Sequence, residues 1–592
     1  MSIPQQGFGD SSWASSGRSR FSANGNTNGT VGDRIGGMFD RDRKNSLPMY
    51  KDKPFSYPTS GRNAPWFRRK RVLAGIGLSF LALIYWLGMF STEQKVASMQ
   101  PTGASSKSWF IPTKGKVNWA QRQERVKEAF QQTWTAYERH AWGYDEFHPV
   151  SKTGRQMVPN GMGWIIVDAL DTIMLMNLTK ELTHAREWIS TTLTYDQDHD
   201  VNTFETTIRM LGGLLSAHYL SSAFPSLAPV SDKFGDDLYL ERATDLADRL
   251  LAAYESPSGV PYASVNLHTH KGIPSHDDGG ASSTAEATSL QLEMKYLAKL
   301  TGETHYWETA EKVMKVIDDN GMKDGLLPIF IYADQGHFRG NNIRLGSRGD
   351  SYYEYLIKQY LQTTMQEPVY NDMWEQAMDG IKKHLITYSS PSNLTVLGER
   401  PNGLEAPISP KMDHLVCFMP GTIALGATHG KTLAEAKKSP GWGARQEADM
   451  ELARQLTKTC WGMYKVTATK LAPEIAHLHL HQPPVMMEDQ ILQSPEVLSD
   501  DGNAEWHKDY EIKGADAHNL QRPETIETLF YMYRITGNEM YREWGWQMFE
   551  AFVTHTKVND GADGYSSIDN VEQIPTHSRD NMESFWLVST GS

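Results

Sequence analysis

The stretch Arg522-Pro-Glu-Thr-Ile-Glu527 marks the beginning of a helix and shapes the expectation for the whole chain. Proline suits the first helical position, because the amide hydrogen that it lacks would have no partner there. Glu524 then lies in the first turn, where the helix macrodipole favours an ionised carboxylate. Glu524 and Glu527 are three residues apart and share one helix face. The stretch therefore predicts a helix that carries two acids near its start.

Two other stretches also place an acid and an arginine at a helix start, among aromatic side chains. In Thr203-Phe-Glu-Thr-Thr-Ile-Arg209, Glu205 and Arg209 are four residues apart and face the same side. In Arg348-Gly-Asp-Ser-Tyr-Tyr-Glu-Tyr355, Asp350 stands at the start of a helix rich in tyrosine. The same combination at three separate helix starts favours a shared site.

Each stretch also has a purely structural interpretation. Ser351 and Glu354 fit the spacing of a capping box, and Asp350 would then only help to start that helix. Glu205 with Arg209 fits an ordinary surface ion pair. The sequence alone leaves both interpretations open for each stretch, although a functional site explains all three together.

Helical patterns dominate the chain from residue 116 onward, and strand signals are few and short. No self-similarity with a period of 20–50 residues is present, which argues against a repeat solenoid. We therefore expect one large all-α domain built from helix hairpins, over residues 116–592. The expected helices begin near Val117, Gly163, Thr203, Leu238, Ser282, Glu303, Ser351, Tyr370, His414, Arg445, Pro523, Asn538 and Met582.

A barrel of helix pairs would gather the acidic helix starts at one mouth. Carboxylates, cations and aromatic rings around one cavity suit sugar hydrolysis, which needs an acid and a base on either side of the scissile bond. A glycan-binding protein without catalysis uses the same residue types. The pattern predicts a carbohydrate site and does not by itself separate these two functions.

The N-terminal part predicts a membrane anchor. Residues 1–71 are rich in Ser, Gly, Asn and Arg, carry a net charge of +8 and should form a disordered cytosolic tail. Residues 72–90, VLAGIGLSFLALIYWLGMF, contain no charge and nearly match the hydrocarbon thickness of a bilayer as a helix. The basic cluster Arg68-Arg-Lys-Arg71 holds the preceding end in the cytosol. A signal peptide is the alternative, but the segment begins late and lacks a cleavage pattern.

This topology predicts a type II protein with a stem at residues 91–115 and a lumenal domain at residues 116–592. Residues 72–592 have a net charge of −21, which argues against nucleic acid as a partner. In the lumen Cys417 and Cys460 could form a disulfide, and two buried free thiols are the alternative. Asn177-Leu-Thr and Asn393-Leu-Thr are candidate glycosylation sites.

At these residues the chain resembles the class I α-1,2-mannosidases, glycoside hydrolase family 47, from about Gln121 to Leu587. Several spaced motifs carry the resemblance, and chance agreement at all of them is not credible. They are Trp164-Ile-Ile-Val-Asp-Ala-Leu-Asp-Thr-Ile-Met-Leu-Met176, Phe204-Glu-Thr-Thr-Ile-Arg-Met-Leu-Gly-Gly-Leu-Leu215, Gly346-Ser-Arg-Gly-Asp-Ser-Tyr-Tyr-Glu-Tyr-Leu356, His414-Leu-Val-Cys-Phe-Met-Pro-Gly-Thr422, Leu471-Ala-Pro-Glu-Ile475 and Leu520-Gln-Arg-Pro-Glu-Thr-Ile-Glu-Thr-Leu-Phe530.

The resemblance implies an (αα)7 barrel, an inverting mechanism and a bound calcium ion. It places the acid function at Glu205, acting directly or through solvent, with Arg209 beside it. Asp350 and Glu524 match the other principal catalytic carboxylates, and Glu474 matches a further one. We assign water activation to Glu524, because the helix dipole should keep it ionised.

The resemblance also implies residues that bind the substrate. His414, Glu527 and Phe585 match positions that line the sugar pocket, and Arg522 belongs to the same set with Arg209 and Arg348. Cys417 and Cys460 match the paired cysteines of the family.

Arg348 resembles the endoplasmic reticulum type of the family, since the broader-specificity types usually carry a smaller or apolar residue there. An arginine can make several fixed hydrogen bonds to a branched glycan. The implied partners are high-mannose N-glycans on glycoproteins, and the implied reaction removes one terminal α-1,2-mannose from the nine-mannose glycan. The expected location is the endoplasmic reticulum or early Golgi membrane.

The residues from Asn581 to Ser592 depart from the family pattern. The family has a glutamate at the position of Ser589, completes its last helix and then sends a hairpin into the barrel. The calcium-binding threonine lies there, and Thr590 has no matching neighbours. We therefore expect the last helix and the hairpin to be missing, no metal ligand in this chain and doubtful activity. The alternatives are a catalytically impaired mannose-glycan-binding protein and a non-functional fragment.

Overall fold

The computed structural model describes residues 117–228 and 237–589. The predicted cytosolic tail, membrane anchor and stem at residues 1–71, 72–90 and 91–115 lie outside these ranges, so they stay predictions. Within the described ranges, no helix has both the length and the apolar character needed to cross a membrane.

Helices dominate the described residues, as the sequence predicts, and most of the predicted starts agree with the structure to within two residues. The α-helices are α1 (Trp119–His140), α2 (Trp164–Asp168), α3 (Leu170–Leu175), α4 (Thr179–Thr191), α5 (Thr203–Glu205), α6 (Gly212–Ala223), α7 (Leu238–Leu250), α8 (Thr284–Thr288), α9 (Gln291–Thr301), α10 (Thr304–Asp319), α11 (Asp350–Gln362), α12 (Pro368–His384), α13 (Met419–Thr428), α14 (Leu433–Ala436), α15 (Ala444–Lys465), α16 (Glu524–Thr536), α17 (Glu539–His555) and α18 (Ser584–Ser589). A π-helical turn, Thr206–Leu211, joins α5 to α6.

Local sequence signals explain several of these boundaries. Gly302 and Gly537 adopt left-handed backbone angles directly after α9 and α16, which ends both helices. The side chain of Asn538 accepts a hydrogen bond from the amide of Met540 and caps α17. Pro368 occupies the first position of α12, where its ring costs no hydrogen bond.

In the part of the chain that the structure describes, twelve strands of two to four residues link the helices. They are β1 (Glu146–His148), β2 (Thr153–Arg155), β3 (Asp200–Asn202), β4 (Ser264–Asn266), β5 (Lys271–Ile273), β6 (Ala281–Ser283), β7 (Phe330–Tyr332), β8 (Ile386–Tyr388), β9 (Thr395–Leu397), β10 (Lys411–Asp413), β11 (Ile475–Leu478) and β12 (Tyr510–Glu511). All pairs are antiparallel, in the sheets β1-β2, β3-β4-β5, β6-β7, β8-β9 and β10-β11-β12. Several strands end directly before a functional helix and so fix where that helix begins.

Helix hairpins of the described residues pack around two buried apolar clusters. One cluster joins the N-terminal helices to the C-terminal segment with Phe552 and Trp586, and the other is built mainly from the middle of the chain. At the first cluster α6 contacts α2, α3 and α7, and at the second α13 contacts α15 and α16. Gly213 permits the approach of α6 to α2, because a Cβ atom there would lie 2.6 Å from the carbonyl oxygen of Val167. The architecture is helical throughout and consistent with a barrel of helix pairs.

The predicted disulfide is confirmed. Cys417 and Cys460 are bonded, at an S–S distance of 2.07 Å. The bridge joins the 3₁₀ turn His414–Phe418 to α15 and so connects the segment before α13 to its packing partner.

Some local expectations are wrong. Ser351 and Glu354 do not form a capping box, because α11 begins one residue earlier, at Asp350, and no side chain caps it. Ser351 instead hydrogen bonds to Ser289 through its hydroxyl group, at 2.7 Å. The helix expected from His414 begins as the 3₁₀ turn and becomes α13 only at Met419.

Candidate active site

The start of α16 places Glu524 in a network of buried hydrogen bonds. Oε2 of Glu524 lies 2.8 Å from Nδ1 of His414, whose Nε2 lies 2.7 Å from the hydroxyl oxygen of Tyr464. Burial alone would raise the pKa of Glu524, but the hydrogen bond from His414 and the charges of His414 and Arg522 outweigh it and lower the pKa. Glu524 is therefore ionised at neutral pH, as a general base must be.

Short strands bring His414 to this position. β10 pairs with β11 so that Asp413 lies opposite Ile475, and the amide of His414 donates to the carbonyl oxygen of Glu474 at 2.8 Å. The carboxylate of Glu474 then accepts a hydrogen bond from the amide of Leu520 at 3.0 Å and pairs with Arg522. Glu474 thus holds the segment that leads into α16.

Asp350, the first residue of α11, has the opposite electrostatic character to Glu524. Burial raises the pKa of Asp350 to about 7, and the nearby carboxylates of Glu354, Glu524 and Glu286 push it in the same direction. The amide of Ser351 donates to Oδ1 at 2.7 Å and partly opposes these effects. Two carboxylates whose surroundings move their pKa values apart form a natural acid and base pair.

Glu205 lies at the end of α5, where Asn202 accepts a hydrogen bond from its amide at 2.7 Å. Its carboxylate pairs with Arg209 at 2.8 Å, and Arg209 also reaches Asp168 at 3.4 Å. The side chain of Arg209 is 18% exposed and that of Glu205 is 38% exposed, so only the arginine end of this pair is largely buried, against Asp168. The π-helical turn after Glu205 carries Arg209, and such turns are frequent at functional sites.

The aromatic ring of Phe585 lies close to two of the predicted arginines. The guanidinium carbon of Arg209 is 5.4 Å from the ring centre and that of Arg522 is 5.9 Å away. Ser584, the preceding residue, donates to Asp168 at 2.5 Å. α18 is therefore tied to α2 on one side and to both arginines on the other.

Glu527, one turn after Glu524, pairs with a lysine that the sequence analysis did not single out. Nζ of Lys358 lies 3.1 Å from Oε1 of Glu527 and also contacts Glu354. Burial raises the pKa of Glu527 to about 7. Although burial disfavours its charge, Glu354 and Glu527 raise the pKa of Lys358 well above its usual value.

Three acids in the same region were also missed. Glu286 lies near the start of α8, and its Oε2 accepts a hydrogen bond from the side-chain Nδ2 of Asn202 at 3.3 Å. Its carboxylate also interacts electrostatically with Arg348 and Glu205. Glu583 interacts with Arg209, Arg522 and Glu205, and Asp168 lies beneath Arg209. Burial raises the pKa of all three. Glu286 follows the Ser283 N-cap, a helix-start signal of the kind that marked the other acids.

Arg348 completes the set of predicted residues. It precedes α11 by two positions, and its guanidinium pairs with Asp278 at 2.6 Å. The charge of Arg348 works against the raised pKa of Glu286, and the carboxylate of Glu286 in turn helps to raise the pKa of Asp350. The predicted residues of the three acidic helix starts therefore belong to one connected electrostatic region, together with His414, Glu474 and Phe585.

Calcium binds to six to eight oxygen atoms, mainly from carboxylates, carbonyl groups and water. Among residues 117–228 and 237–589, no three His, Cys, Asp or Glu side chains form a group that could hold a metal ion. Within these ranges, carboxylate, imidazole and thiolate side chains alone therefore provide no site for a calcium ion.

The profile of glycosyl hydrolase family 47 matches residues 129–590. The chain belongs to glycosyl hydrolase family 47. It is 48% identical over 483 residues to a mannosyl-oligosaccharide 1,2-alpha-mannosidase of Candida albicans, which covers 80% of this chain and 79% of the relative. It is 44% identical to an endoplasmic reticulum mannosyl-oligosaccharide 1,2-alpha-mannosidase of Schizosaccharomyces pombe, over 79% of this chain and 84% of that protein.

A solved structure supports the same family 47 assignment. The alpha-1,2-mannosidase from Trichoderma reesei superimposes with a TM-score of 0.68 at 28% identity, covering 80% of this chain and 92% of that one. The resemblance that the spaced motifs indicate is therefore confirmed at the level of the family. The family 47 match spans the acidic helix starts, the disulfide and α18.

Proposed function

We propose that this protein hydrolyses terminal α-1,2-linked mannose from high-mannose N-glycans, with inversion at the anomeric carbon. The observation that carries the proposal is the pair formed by Glu524, with a lowered pKa, and Asp350, with a pKa of about 7. Inverting hydrolysis needs one ionised and one protonated carboxyl group on opposite sides of the scissile bond. The names of the Candida albicans and Schizosaccharomyces pombe relatives support this substrate class.

In this mechanism Glu524 accepts a proton from the attacking water, while His414 and Tyr464 hold its carboxylate in place. The second carboxyl group gives a proton to the departing sugar oxygen. The resemblance assigns that step to Glu205, whereas the raised pKa of Asp350 favours Asp350. We propose Asp350 as the proton donor and keep Glu205, beside Arg209, as the alternative, which the variants Asp350→Asn and Glu205→Gln separate.

The remaining predicted residues would bind the sugar. Phe585 would contact the apolar side of a pyranose ring, and the nearby guanidinium groups of Arg209 and Arg522 would donate hydrogen bonds to its hydroxyl groups. Glu527, beside Lys358, can accept hydrogen bonds from sugar hydroxyl groups. Arg348 would contact the part of the glycan beyond the scissile mannose, because it lies beside Asp278 and is 37% exposed.

The wider context is proposed on the same basis. The helix pairs would close into the (αα)7 barrel of the family, and residues 116–592 would form its lumenal catalytic domain behind the anchor at residues 72–90. The location would be the endoplasmic reticulum or early Golgi membrane, in line with the name of the Schizosaccharomyces pombe relative. The resemblance implies calcium, whereas the departure after Phe585 predicts that this chain lacks the calcium-binding threonine; activity with added calcium and with a chelator tests that prediction.

The test is mannose release from a nine-mannose glycan by the full chain and its variants. Glu524→Gln and Asp350→Asn keep the side-chain shape and should each lower turnover about 10²-fold or more. Glu308→Gln makes the same chemical change at an exposed position on α10 and should leave turnover unaltered. Glycan binding without measurable turnover in the unaltered chain would instead favour a mannose-glycan-binding protein.

A further inference from the structure

Arg348 is held on two sides by residues of other elements. One terminal nitrogen of its guanidinium donates to Oδ2 of Asp278 at 2.6 Å, and its guanidinium carbon lies 5.0 Å from the ring centre of Phe330 in β7. A second arginine, Arg339, lies 5.4 Å from the same ring and donates to the carbonyl oxygen of Asp278. Phe330 and Asp278 therefore each contact both guanidinium groups.

The loop that carries Asp278 is itself ordered by local hydrogen bonds. The hydroxyl group of Ser275 donates to Oδ2 of Asp278, and the amide of Asp278 donates back to that hydroxyl group, both at 3.2 Å. The amide of Gly280 donates to the carbonyl oxygen of Ser275 at 2.9 Å. These hydrogen bonds hold the carboxylate of Asp278 independently of Arg348, and the Asp278 side chain is only 19% exposed.

The backbone of Arg348 is fixed as well. Its φ angle of 72° lies in the left-handed region, which an arginine adopts rarely and only when its surroundings hold it there. Its carbonyl oxygen accepts a hydrogen bond from the amide of Ala285 at 3.0 Å. The backbone, the ion pair and the aromatic ring together define where the guanidinium points.

We infer that Asp278 is a positioning residue for Arg348 and thereby strengthens binding of the oligosaccharide beyond the scissile mannose. This inference rests on the proposed function, in which Arg348 contacts the glycan beyond the scissile mannose. A long arginine side chain that is free to rotate loses conformational entropy when it binds, and a side chain fixed beforehand avoids that loss. Asp278 accepts a hydrogen bond from one terminal nitrogen of Arg348, which leaves the other N–H groups of the guanidinium to donate to sugar hydroxyl groups.

The experiment compares Asp278→Ala, Asp278→Glu and Arg348→Ala in the full chain, with the nine-mannose glycan and with an α-1,2-linked mannose disaccharide as substrates. Asp278→Ala should raise KM for the glycan about 10-fold, as expected if the freed Arg348 side chain must be ordered on binding. The kcat value for the glycan and the kcat/KM value for the disaccharide should stay within about twofold of the parent, since the disaccharide is too short to reach Arg348. Asp278→Glu, which keeps the charge, should recover part of the loss.

A double-mutant cycle separates this inference from the proposed function. In the Arg348→Ala background, Asp278→Ala should have no further effect on KM, because the two residues act through one contact. If Arg348→Ala raises KM and Asp278→Ala does not, the positioning role is wrong while the proposed function stands. If Arg348→Ala has no effect on KM or on the number of mannose residues released, the proposed glycan contact itself is wrong. An equal loss on the disaccharide would show a merely structural role and overturn the inference.

Discussion

Nδ1 of His414 lies 2.8 Å from Oε2 of Glu524, although the two residues are 110 positions apart in the chain. His414 follows β10 directly, and its amide is bound by the carbonyl oxygen of Glu474, so the imidazole ring has little freedom to move. The contact lowers the pKa of Glu524 against the effect of burial, and Asp350 in the same region has a pKa of about 7. This contrast is the physical basis for assigning an ionised base and a protonated acid.

The first prediction concerns the pH dependence of kcat/KM. If Asp350 donates the proton, activity should fall as the pH rises through about 7, where Asp350 loses that proton. On the acid side, kcat/KM should fall only below the ordinary pKa of a glutamate, because the pKa of Glu524, the proposed base, is lowered. In Asp350→Asn, which has no titrating group there, the residual activity should lack the limb near pH 7. A limb that persists unchanged in that variant would assign the limb to another group, with Glu527, whose pKa is also about 7, as the first candidate.

The same pKa predicts a cost in stability. A carboxyl group whose folded pKa is raised binds its proton more tightly in the folded state, so its contribution to stability falls as the pH rises from about 4 to about 7. Asp350→Asn removes this effect and should raise Tm at pH 7.5 by about 2 °C. At pH 4 the variant and the parent should unfold at the same temperature. A lower Tm at pH 7.5 would contradict the stated environment of Asp350.

Lys358 should support the acidic cluster. Lys358→Met leaves Glu354 and Glu527 without their cation and should lower the free energy of unfolding by about 2 kcal/mol at pH 7.5. The loss should shrink at pH 5, because Glu527, whose pKa is about 7, can then be protonated. Lys315→Met is the matched control, since it removes an exposed pair with Asp319 at the same spacing and should cost less than about 0.5 kcal/mol. Denaturant unfolding at both pH values measures the difference.

The disulfide should contribute to stability mainly through the unfolded chain. Cys417 and Cys460 are separated by 43 residues, and closing a loop of that length is worth about 3–4 kcal/mol. Replacing both by serine should lower the free energy of unfolding by that amount, without a change in the reaction catalysed by the protein that remains folded. Thiol labelling of the denatured, unreduced parent should find no free cysteine among these two. Two labelled thiols would contradict the bridge.

The sequence predicts the helices well because their signals are local. Thr203, Leu238 and Asn538 are each within a residue of an observed helix start, and the helix-start acids Glu205, Asp350 and Glu524 follow from those signals together with the family motifs. The capping box at Ser351 fails because α11 begins one residue earlier, a difference that pattern reading cannot detect.

The parts of the site that the sequence does not predict depend on contacts between distant segments. Asp278 lies 70 positions from Arg348, and Lys358 lies 169 positions from Glu527. The spacing of Glu354 and Lys358 is visible in the sequence, but it looks like any exposed helix pair until the fold buries it against α16. Burial also sets the pKa of Asp350, which its neighbours in sequence do not indicate.

The most direct test of the central claim is the anomeric configuration of the mannose first released, followed by proton NMR during the first minutes of hydrolysis. The account assigns water activation to Glu524, without a covalent intermediate, so the α-linked substrate should first yield β-mannose. In Glu524→Gln the same signal should grow about 10²-fold more slowly. First release of α-mannose would mean retention through a glycosyl-enzyme intermediate and would contradict the account.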